Sequence, residues 1–259
     1  MAELLLLCVG ALAGLIAGSF IGLVGERWPR GEQVIAGRSR CDRCRHVLGA
    51  AELIPLVSYA VQRGRCRHCD TAIPLRLPAV EAIAALIGVG AVAAAQTPLD
   101  LAWAAAGWAL LALAVLDLRA FWLPNRLTIP LLATGLSFHA AGGDRLAFLY
   151  AALGALAGLL SLWAVAGLYE LVRKRPGLGG GDPKLFAALG AWFGIGALPV
   201  ILLASAVIGL LAVAGMSARG TAISGETRLP LGTLMAIGAG VYAVYAVLVH
   251  PMPFGVPVP

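Results

Sequence analysis

The segment Arg173-Lys-Arg-Pro-Gly-Leu-Gly-Gly-Gly-Asp-Pro-Lys184 separates two long apolar stretches, and its acid, Asp182, stands just before the second of them. A carboxyl group at the edge of a membrane is costly, so it indicates a functional site. A second acid, Asp117, ends an apolar stretch sixty-five residues earlier. Whether the two acids form one site depends on the topology of the chain between them.

The composition predicts a polytopic membrane protein. Of the 259 residues, 60% are hydrophobic and only 12% are charged, and the mean hydropathy is +0.90, whereas soluble domains carry about 25% charged residues. Ten of the nineteen basic residues lie between Arg27 and Arg76, and this distribution argues against nucleic acid as a partner. The first apolar run is preceded by Glu3 and no basic residue, so it predicts a retained span and not a signal peptide.

Eight apolar segments are candidates for membrane-spanning helices, because a bilayer core about 30 Å thick needs roughly 20 apolar residues per helix. The expected fold is therefore an all-α polytopic membrane protein with about eight transmembrane helices and one small loop domain, which the cysteine motifs below predict to bind zinc. The domains expected are a first helix over 1–24, a loop with four cysteines over 25–77 and a transmembrane domain that carries both acids over 78–259. The eight segments cover residues 4–24, 79–97, 99–118, 124–141, 146–171, 183–197, 198–216 and 230–249.

The distribution of Lys and Arg predicts the orientation of these spans, since cytoplasmic loops carry the excess of basic residues. With the N-terminus outside, eighteen of the nineteen basic residues fall on the cytoplasmic side and only Arg145 falls outside. This topology places both Asp117 and Asp182 at the cytoplasmic face. The two acids are therefore expected to meet there.

The first cytoplasmic loop contains two C-x-x-C motifs, Cys41-Asp-Arg-Cys44 and Cys66-Arg-His-Cys69. Two such motifs about twenty residues apart are typical of a tetrahedral zinc site with four thiolate ligands, Cys41, Cys44, Cys66 and Cys69. The alternatives are two disulfides, which a reducing cytoplasm disfavours, or a redox-active pair. His46 and His68 are adjacent candidate ligands that a four-thiolate site leaves spare. Such a loop depends on its metal to fold.

Each acid also has a purely structural interpretation. Asp117 suits a solvated boundary residue paired with Arg119 or Arg126. Asp182 suits an N-cap residue, with Pro183 at the first helical position. A phosphate-binding loop fits the glycine segment poorly, because the G-x-x-x-x-G-K-[ST] pattern is missing and the lysine that follows the glycines comes only after the acid and a proline.

Two carboxyl groups that approach each other share a proton, because both cannot remain charged cheaply. One then deprotonates a water molecule while the other polarises or protonates the scissile carbonyl. This is the chemistry of an aspartic peptidase and needs no metal at the peptidase site. Glu81, Glu170 and His139 are assigned structural roles at helix ends.

Over nearly its whole length the chain resembles the bacterial type IV prepilin peptidases, also called leader peptidase/N-methyltransferases. Many motifs in one order make this resemblance specific. The residues that carry it are Gly18-Ser-Phe20, Arg27, Pro29, Ser39-Arg-Cys-Asp-Arg-Cys44, Ile54-Pro-Leu-Val-Ser-Tyr59, Arg63-Gly-Arg-Cys-Arg-His-Cys69, Arg76-Leu-Pro-Ala-Val-Glu81, Asp117, Leu123-Pro124, Leu127-Thr128 and Gly179-Gly-Gly-Asp-Pro-Lys184.

The resemblance implies an intramembrane aspartic peptidase of the G-x-G-D class, with Asp117 and Asp182 as the catalytic pair and Gly179, Gly181 and Lys184 in support. Such enzymes reside in the bacterial inner membrane and remove the basic leader of type IV prepilins or type II secretion pseudopilins on the cytoplasmic side. Members with the cysteine loop then methylate the new N-terminal residue, usually Phe, with S-adenosylmethionine as donor. The basic loop is also suited to binding anionic lipid headgroups.

The chain departs from the family pattern in three places. Asn125 stands where an Asp is common, the segment after Gly18-Ser-Phe20 is less regular, and Leu229-Pro-Leu-Gly-Thr233 matches only loosely and is assigned no role. Two alternatives stay open: a peptidase that has lost methylation and uses the zinc loop for docking, and a non-enzymatic transporter or scaffold. Transport would favour acids at the bilayer midplane and internal repeats, neither of which the sequence contains.

Overall fold

The computed structural model describes residues 1–35, 37–175, 177–221 and 228–249, and within these ranges the chain is helical apart from turns and two isolated β-bridges. Short 3-10 turns cover Trp28–Arg30, Ala50–Leu53 and Pro98–Leu101. The helices are α1 (Ala2–Arg27), α2 (Val57–Val61), α3 (Arg76–Ala94), α4 (Ala102–Ala120), α5 (Asn125–Ala141), α6 (Arg145–Arg173), α7 (Asp182–Phe193), α8 (Ala197–Ala218) and α9 (Leu231–Val249).

The all-α membrane fold expected from the sequence is confirmed. All eight predicted apolar segments are helices, and six of them are long and apolar enough to cross a membrane: α1, α3, α4, α6, α8 and α9. The other two are shorter, since α5 has 17 residues and α7 has 12. The count of eight spans therefore stays a prediction.

The chain divides into two compact units. The N-terminal unit contains residues 1–95 and 103–115, and the C-terminal unit contains the described residues of 96–102 and 116–259. The cysteine loop belongs to the first unit, and both predicted catalytic acids belong to the second.

Small residues hold the N-terminal unit together. Gly10, Gly14 and Gly18 are spaced four residues apart on α1, and a Cβ atom on any of them would collide with the backbone of α3. Helices in membranes associate closely through such small residues, since lipid supplies no hydrophobic force between them. In addition, the indole N–H of Trp108 donates to the carbonyl of Ala84 at 2.9 Å.

The short helix α7 is the core of the C-terminal unit. Ten of its 12 residues are buried, and Gly190 lies against the backbone of Gly154 on α6. The indole of Trp192 donates to the carbonyl of Leu131 on α5 at 2.8 Å, and His139 Nε2 lies 3.1 Å from the Trp192 carbonyl. His139 therefore has the structural role expected of it. These contacts fix α7, and with it the position of Asp182 at its start.

Candidate functional site

Asp117 lies on the last turn of α4, which ends at Ala120 and is followed by Phe121 in a left-handed conformation. Its side chain is 5% exposed, so the interpretation as a solvated boundary residue is wrong. Oδ2 accepts hydrogen bonds from the backbone N–H of Thr233 at 2.8 Å and from the Thr233 hydroxyl at 3.2 Å. The carboxyl group thereby satisfies one of the N–H groups that the first turn of α9 leaves without a helical partner.

Asp182 is the first residue of α7, and Gly181 holds the N-cap position. The interpretation of Asp182 as the N-cap is therefore wrong, because the N-cap lies one residue earlier. Its Oδ2 accepts from the backbone N–H of Gly179 at 2.9 Å, so the carboxyl group turns back toward the glycine segment. The side chain is 7% exposed. Burial, together with the nearby charge of Asp117, raises the pKa of Asp182 to about 6.

Leu123 lies among the elements that carry the two acids. A Cβ atom on Gly181 would lie 2.5 Å from Leu123 Cβ, and one on Gly232 would lie 2.9 Å from Leu123 Cδ1 and 3.0 Å from Asp117 Oδ2. A Cβ atom on Gly179 would in turn lie 3.0 Å from Asp182 Oδ2. Glycine is therefore required at these positions because a side chain would collide with Leu123 or with a carboxyl group. The sequence alone indicates only that glycine gives the backbone more conformational freedom.

The predicted supporting residue Lys184 lies two residues after Asp182. Its Nζ donates to Oδ1 of Asn125 at 2.8 Å, which joins the start of α7 to the start of α5. The amide oxygen of Asn125 is an adequate acceptor for an ammonium group. Asn125, although it replaces the Asp that is common in the family, therefore still joins the Leu123-Pro124 motif to the glycine segment.

The cysteine loop contains two hairpins with the same hydrogen-bond pattern. In the first, the N–H of Cys41 donates to the His46 carbonyl at 2.9 Å, and a bridge pairs Arg40 with Val47. In the second, the N–H of Cys66 donates to the Thr71 carbonyl at 2.9 Å, and the bridge pairs Arg65 with Ala72. Each C-x-x-C motif is thus one tight turn of a twofold structural repeat.

The sulfur atoms of the four cysteines converge at one point. All four Sγ atoms lie within 4.8 Å of one another, and those of Cys41 and Cys69 are 3.7 Å apart. Four thiolates at Zn–S distances of about 2.3 Å around a tetrahedral ion would be separated by about 3.8 Å. The cluster therefore fits one zinc ion better than two separate disulfides.

Thr233 and Gly232 are site residues that the sequence motifs do not indicate. Both belong to Leu229-Pro-Leu-Gly-Thr233, to which the sequence assigns no role. The available signal is the start of an apolar helix just after Pro230, because the first N–H groups of a helix have no acceptor within the helix itself. Nothing in the local sequence names Asp117 as that acceptor.

The fold and these two sites define an all-helical membrane protein with a buried acid pair in one unit and a thiol cluster in the other. Residues 12–95 match the model of the bacterial peptidase A24 N-terminal domain, and residues 104–214 match the type IV leader peptidase family. No solved structure matches the chain.

Curated relatives extend these matches along the chain. A prepilin leader peptidase/N-methyltransferase of Burkholderia pseudomallei is 39% identical over 261 residues, covering 90% of this chain and 83% of the relative. Proteins of the same name from Aeromonas salmonicida (45% identical, 66% of this chain and 59% of the relative) and Neisseria gonorrhoeae (36% identical, 79% and 80%) also match. The chain belongs to the prepilin leader peptidase/N-methyltransferase family. The resemblance and the enzyme class expected from the sequence are confirmed.

Proposed function

We propose that this protein is an aspartic endopeptidase that cleaves the leader from type IV prepilins or pseudopilins, with Asp117 and Asp182 as the catalytic pair. The observation that carries the proposal is the burial of both carboxyl groups in one helical unit, where Leu123 packs against Gly181 beside Asp182 and against Gly232 beside Asp117. Burial of a carboxyl group costs free energy, so two buried carboxyl groups in one unit indicate a functional site.

The raised pKa of Asp182 favours a pair that keeps one proton. The ionised carboxylate takes a proton from a water molecule, whose oxygen attacks the scissile carbonyl carbon, while the protonated carboxyl group donates to the carbonyl oxygen. The tetrahedral intermediate then collapses. The carboxyl group that took the proton from water gives it to the nitrogen as the C–N bond breaks, and the other carboxylate takes back the proton on the former carbonyl oxygen as the C=O bond re-forms. All the groups needed for these steps are carboxyl groups and water.

Supporting residues hold the pair in position. The N–H of Gly179 and the two donors of Thr233 orient the carboxyl groups, and Lys184 fixes the start of α7 against Asn125. Gly181 allows Leu123 to approach. Orientation of this kind matters because reacting groups lose activity when they are displaced by about 1 Å.

The second proposed activity is methylation of the new N-terminus by the unit that contains the cysteine loop. The unprotonated α-amine of the cleaved pilin would attack the methyl carbon of S-adenosylmethionine, so that the N–C bond forms as the C–S bond breaks. S-adenosylhomocysteine would leave, and the methylated amine would lose a proton to water. The proposed domains are the first helix over 1–24, the zinc-binding loop over 25–77 and the peptidase domain over 78–259. Zinc held by Cys41, Cys44, Cys66 and Cys69 would keep the loop folded.

The six apolar helices and the family indicate an integral protein of the bacterial inner membrane. We propose further that the N-terminus is periplasmic and that the two acids and the cysteine loop face the cytoplasm, as the distribution of basic residues predicts. On that side the basic loop would also contact anionic lipids.

Purified protein in detergent and a prepilin-like peptide test this proposal. The wild-type enzyme should cleave before the apolar helix of the peptide, and Asp117→Asn or Asp182→Asn should each reduce cleavage by at least about 10³-fold. Asp144→Asn changes an exposed acid in the same unit and serves as the control. Efficient cleavage by either site variant would contradict the two-acid mechanism.

Mass spectrometry of the cleaved product tests the second activity. With S-adenosylmethionine present, the new N-terminus should gain one methyl group. An unmethylated product, formed by an enzyme that cleaves normally, would favour a peptidase that uses its cysteine loop only for docking.

A further inference from the structure

A cavity of about 390 Å³ lies within the N-terminal unit, formed by residues from the end of α1, the cysteine loop and the start of α3. Sites for small molecules usually have volumes of about 300–1,000 Å³. The cavity is lined by both charged and apolar side chains. Those that matter most to its chemistry are Glu26, Arg27, Glu52, Tyr59, Gln62 and Glu81.

Two of these glutamates already have strong partners inside the protein. Glu26 forms an ion pair with Arg76, at 2.7 Å and 3.1 Å from two guanidinium nitrogens, and a longer one with Arg30 at 3.4 Å. Glu81 Oε2 accepts from the backbone N–H of Leu56 at 2.8 Å. These two acids therefore serve to fasten the loop and α1 to α3.

Glu52 is different. Its Oε2 accepts from the N–H of Gly49 at 2.9 Å, but its Oε1 is buried and has no hydrogen-bond partner within the described part of the chain. Buried polar atoms in native proteins are almost always hydrogen-bonded, so an exception needs an explanation. Glu52 also lines the cavity, so a ligand there that donates hydrogen bonds would supply the missing partner once the carboxyl group turns toward it.

Arg27 provides a charge of the opposite sign at the same cavity. The residue is 9% exposed, and it donates one N–H to the carbonyl of Arg38 at 3.1 Å. A guanidinium group has five N–H donors, and it suits a carboxylate partner. Tyr59 adds an aromatic surface. The cavity therefore matches a ligand with a flat ring system, hydroxyl or ammonium donors and a carboxylate.

We propose that this cavity binds S-adenosylmethionine, with Glu52 accepting hydrogen bonds from its ribose hydroxyls and Arg27 binding its carboxylate. Acidic side chains bind ribose hydroxyls in the same way in dinucleotide sites. The proposal rests on the proposed methyltransferase function. Cys41 and Cys66 also line the cavity, so the folded cysteine loop forms part of its wall.

Calorimetric titration of the full-length protein with S-adenosylhomocysteine, the demethylated product, tests the assignment without any turnover. Glu52→Gln should weaken binding by at least about tenfold, a change of about 1.4 kcal/mol. Glu3→Gln, an exposed glutamate at the opposite end of α1, should bind as the wild type does. Normal peptide cleavage and zinc content by Glu52→Gln would show that this variant is folded. An unchanged affinity would overturn the proposal.

Photolabelling gives a second measurement that does not depend on a variant. With 8-azido-S-adenosylmethionine, the labelled peptides should come from residues 18–81, which contain the whole lining of the cavity. Labelling confined to residues after 116 would overturn the proposal.

Zinc analysis tests whether Glu52 binds the methyl donor or a second metal ion. The ligand atoms of His46, Glu52 and His68 lie within 4.8 Å of one another, and the two imidazole rings stack with centroids 3.4 Å apart. We expect one zinc per chain in the wild type and in Glu52→Gln. Two zinc ions in the wild type and one in the variant, with unchanged affinity for S-adenosylhomocysteine, would assign Glu52 to a metal instead.

These measurements distinguish failure of the cavity assignment from failure of the proposed function. A wild-type enzyme that methylates its product while Glu52→Gln binds S-adenosylhomocysteine normally contradicts the cavity assignment alone. A wild-type enzyme that cleaves its substrate but neither methylates the product nor binds S-adenosylhomocysteine contradicts the methyltransferase function, and the cavity assignment with it.

Discussion

The two units hold their polar residues by different physical means. In the C-terminal unit, Asp117 and Asp182 are 5% and 7% exposed, and each accepts a hydrogen bond from a backbone N–H in a packed helical setting. In the N-terminal unit, the cysteine loop contains little regular structure, and Cys44 is exposed. Helix packing can fix the acids without a ligand, whereas we expect the loop to need a bound metal to stay ordered.

Removal of zinc should have the largest effect, because it should disturb the N-terminal unit and leave the C-terminal unit intact. We expect Cys66→Ser to lose the metal and to reduce methyl transfer by more than about 100-fold, because the loop forms part of the proposed donor cavity. Peptide cleavage should change far less, since the acids belong to the packed unit. Atomic absorption and the two activity assays measure these effects.

Cys8→Ser is the matched control, because Cys8 lies on α1 outside the cluster. It should keep its zinc and both activities. A parallel loss of cleavage and methylation in Cys66→Ser would show that the acid pair depends on the cysteine loop, contrary to the comparison.

Gly179→Ala should have the next largest effect. Its Cβ atom would lie 3.0 Å from Asp182 Oδ2 and displace the carboxyl group, so we expect cleavage to fall by about 10–100-fold. A Cβ atom on the neighbouring Gly180 would meet no other group within 4 Å, so Gly180→Ala should cleave normally. Equal rates for the two variants would contradict a fixed geometry for Asp182.

Thr233→Val should reduce cleavage by about tenfold, because it removes the hydroxyl donor to Asp117 but keeps the backbone N–H. Thr233→Ser restores a hydroxyl group and should recover most of the rate. Kinetic constants for both variants test whether the hydroxyl orients Asp117. Full activity of Thr233→Val would contradict an orienting role for the hydroxyl.

The smallest effect is expected at the contact between Lys184 and Asn125. Asn125→Asp replaces a neutral acceptor with a charged one, yet the contact is exposed and exposed ion pairs contribute at most about 1 kcal/mol. We expect cleavage to change by less than about threefold. A large change would show that this contact controls the acid pair and not only the start of α7.

The elements that could be predicted from the sequence are those with a strong local signal. Apolar runs predict the helices, and paired C-x-x-C motifs predict the thiol cluster, because both depend on residues close together in the chain. The contact between Thr233 and Asp117 joins residues 116 positions apart. It arises from the packing of α9, so no local pattern contains it.

The glycine segment illustrates the same limit. Its sequence indicates backbone freedom, but Gly179 and Gly181 also make room for Asp182 and Leu123. Similarly, Glu52 has no motif of its own, and its buried oxygen, which has no partner in the described part of the chain, emerges only when the loop folds. Side chains that serve a site through tertiary contacts therefore cannot be identified from local sequence patterns.

The most direct test of two separate activities uses a pilin peptide whose leader has already been removed. Asp182→Asn is incubated with this peptide and S-adenosylmethionine, and methylation of the N-terminus is followed by mass spectrometry. We predict a rate of methylation close to that of the wild type from an enzyme that cleaves no prepilin. Loss of methylation together with cleavage, in a variant that still binds S-adenosylhomocysteine, would contradict the assignment of the two activities to separate units.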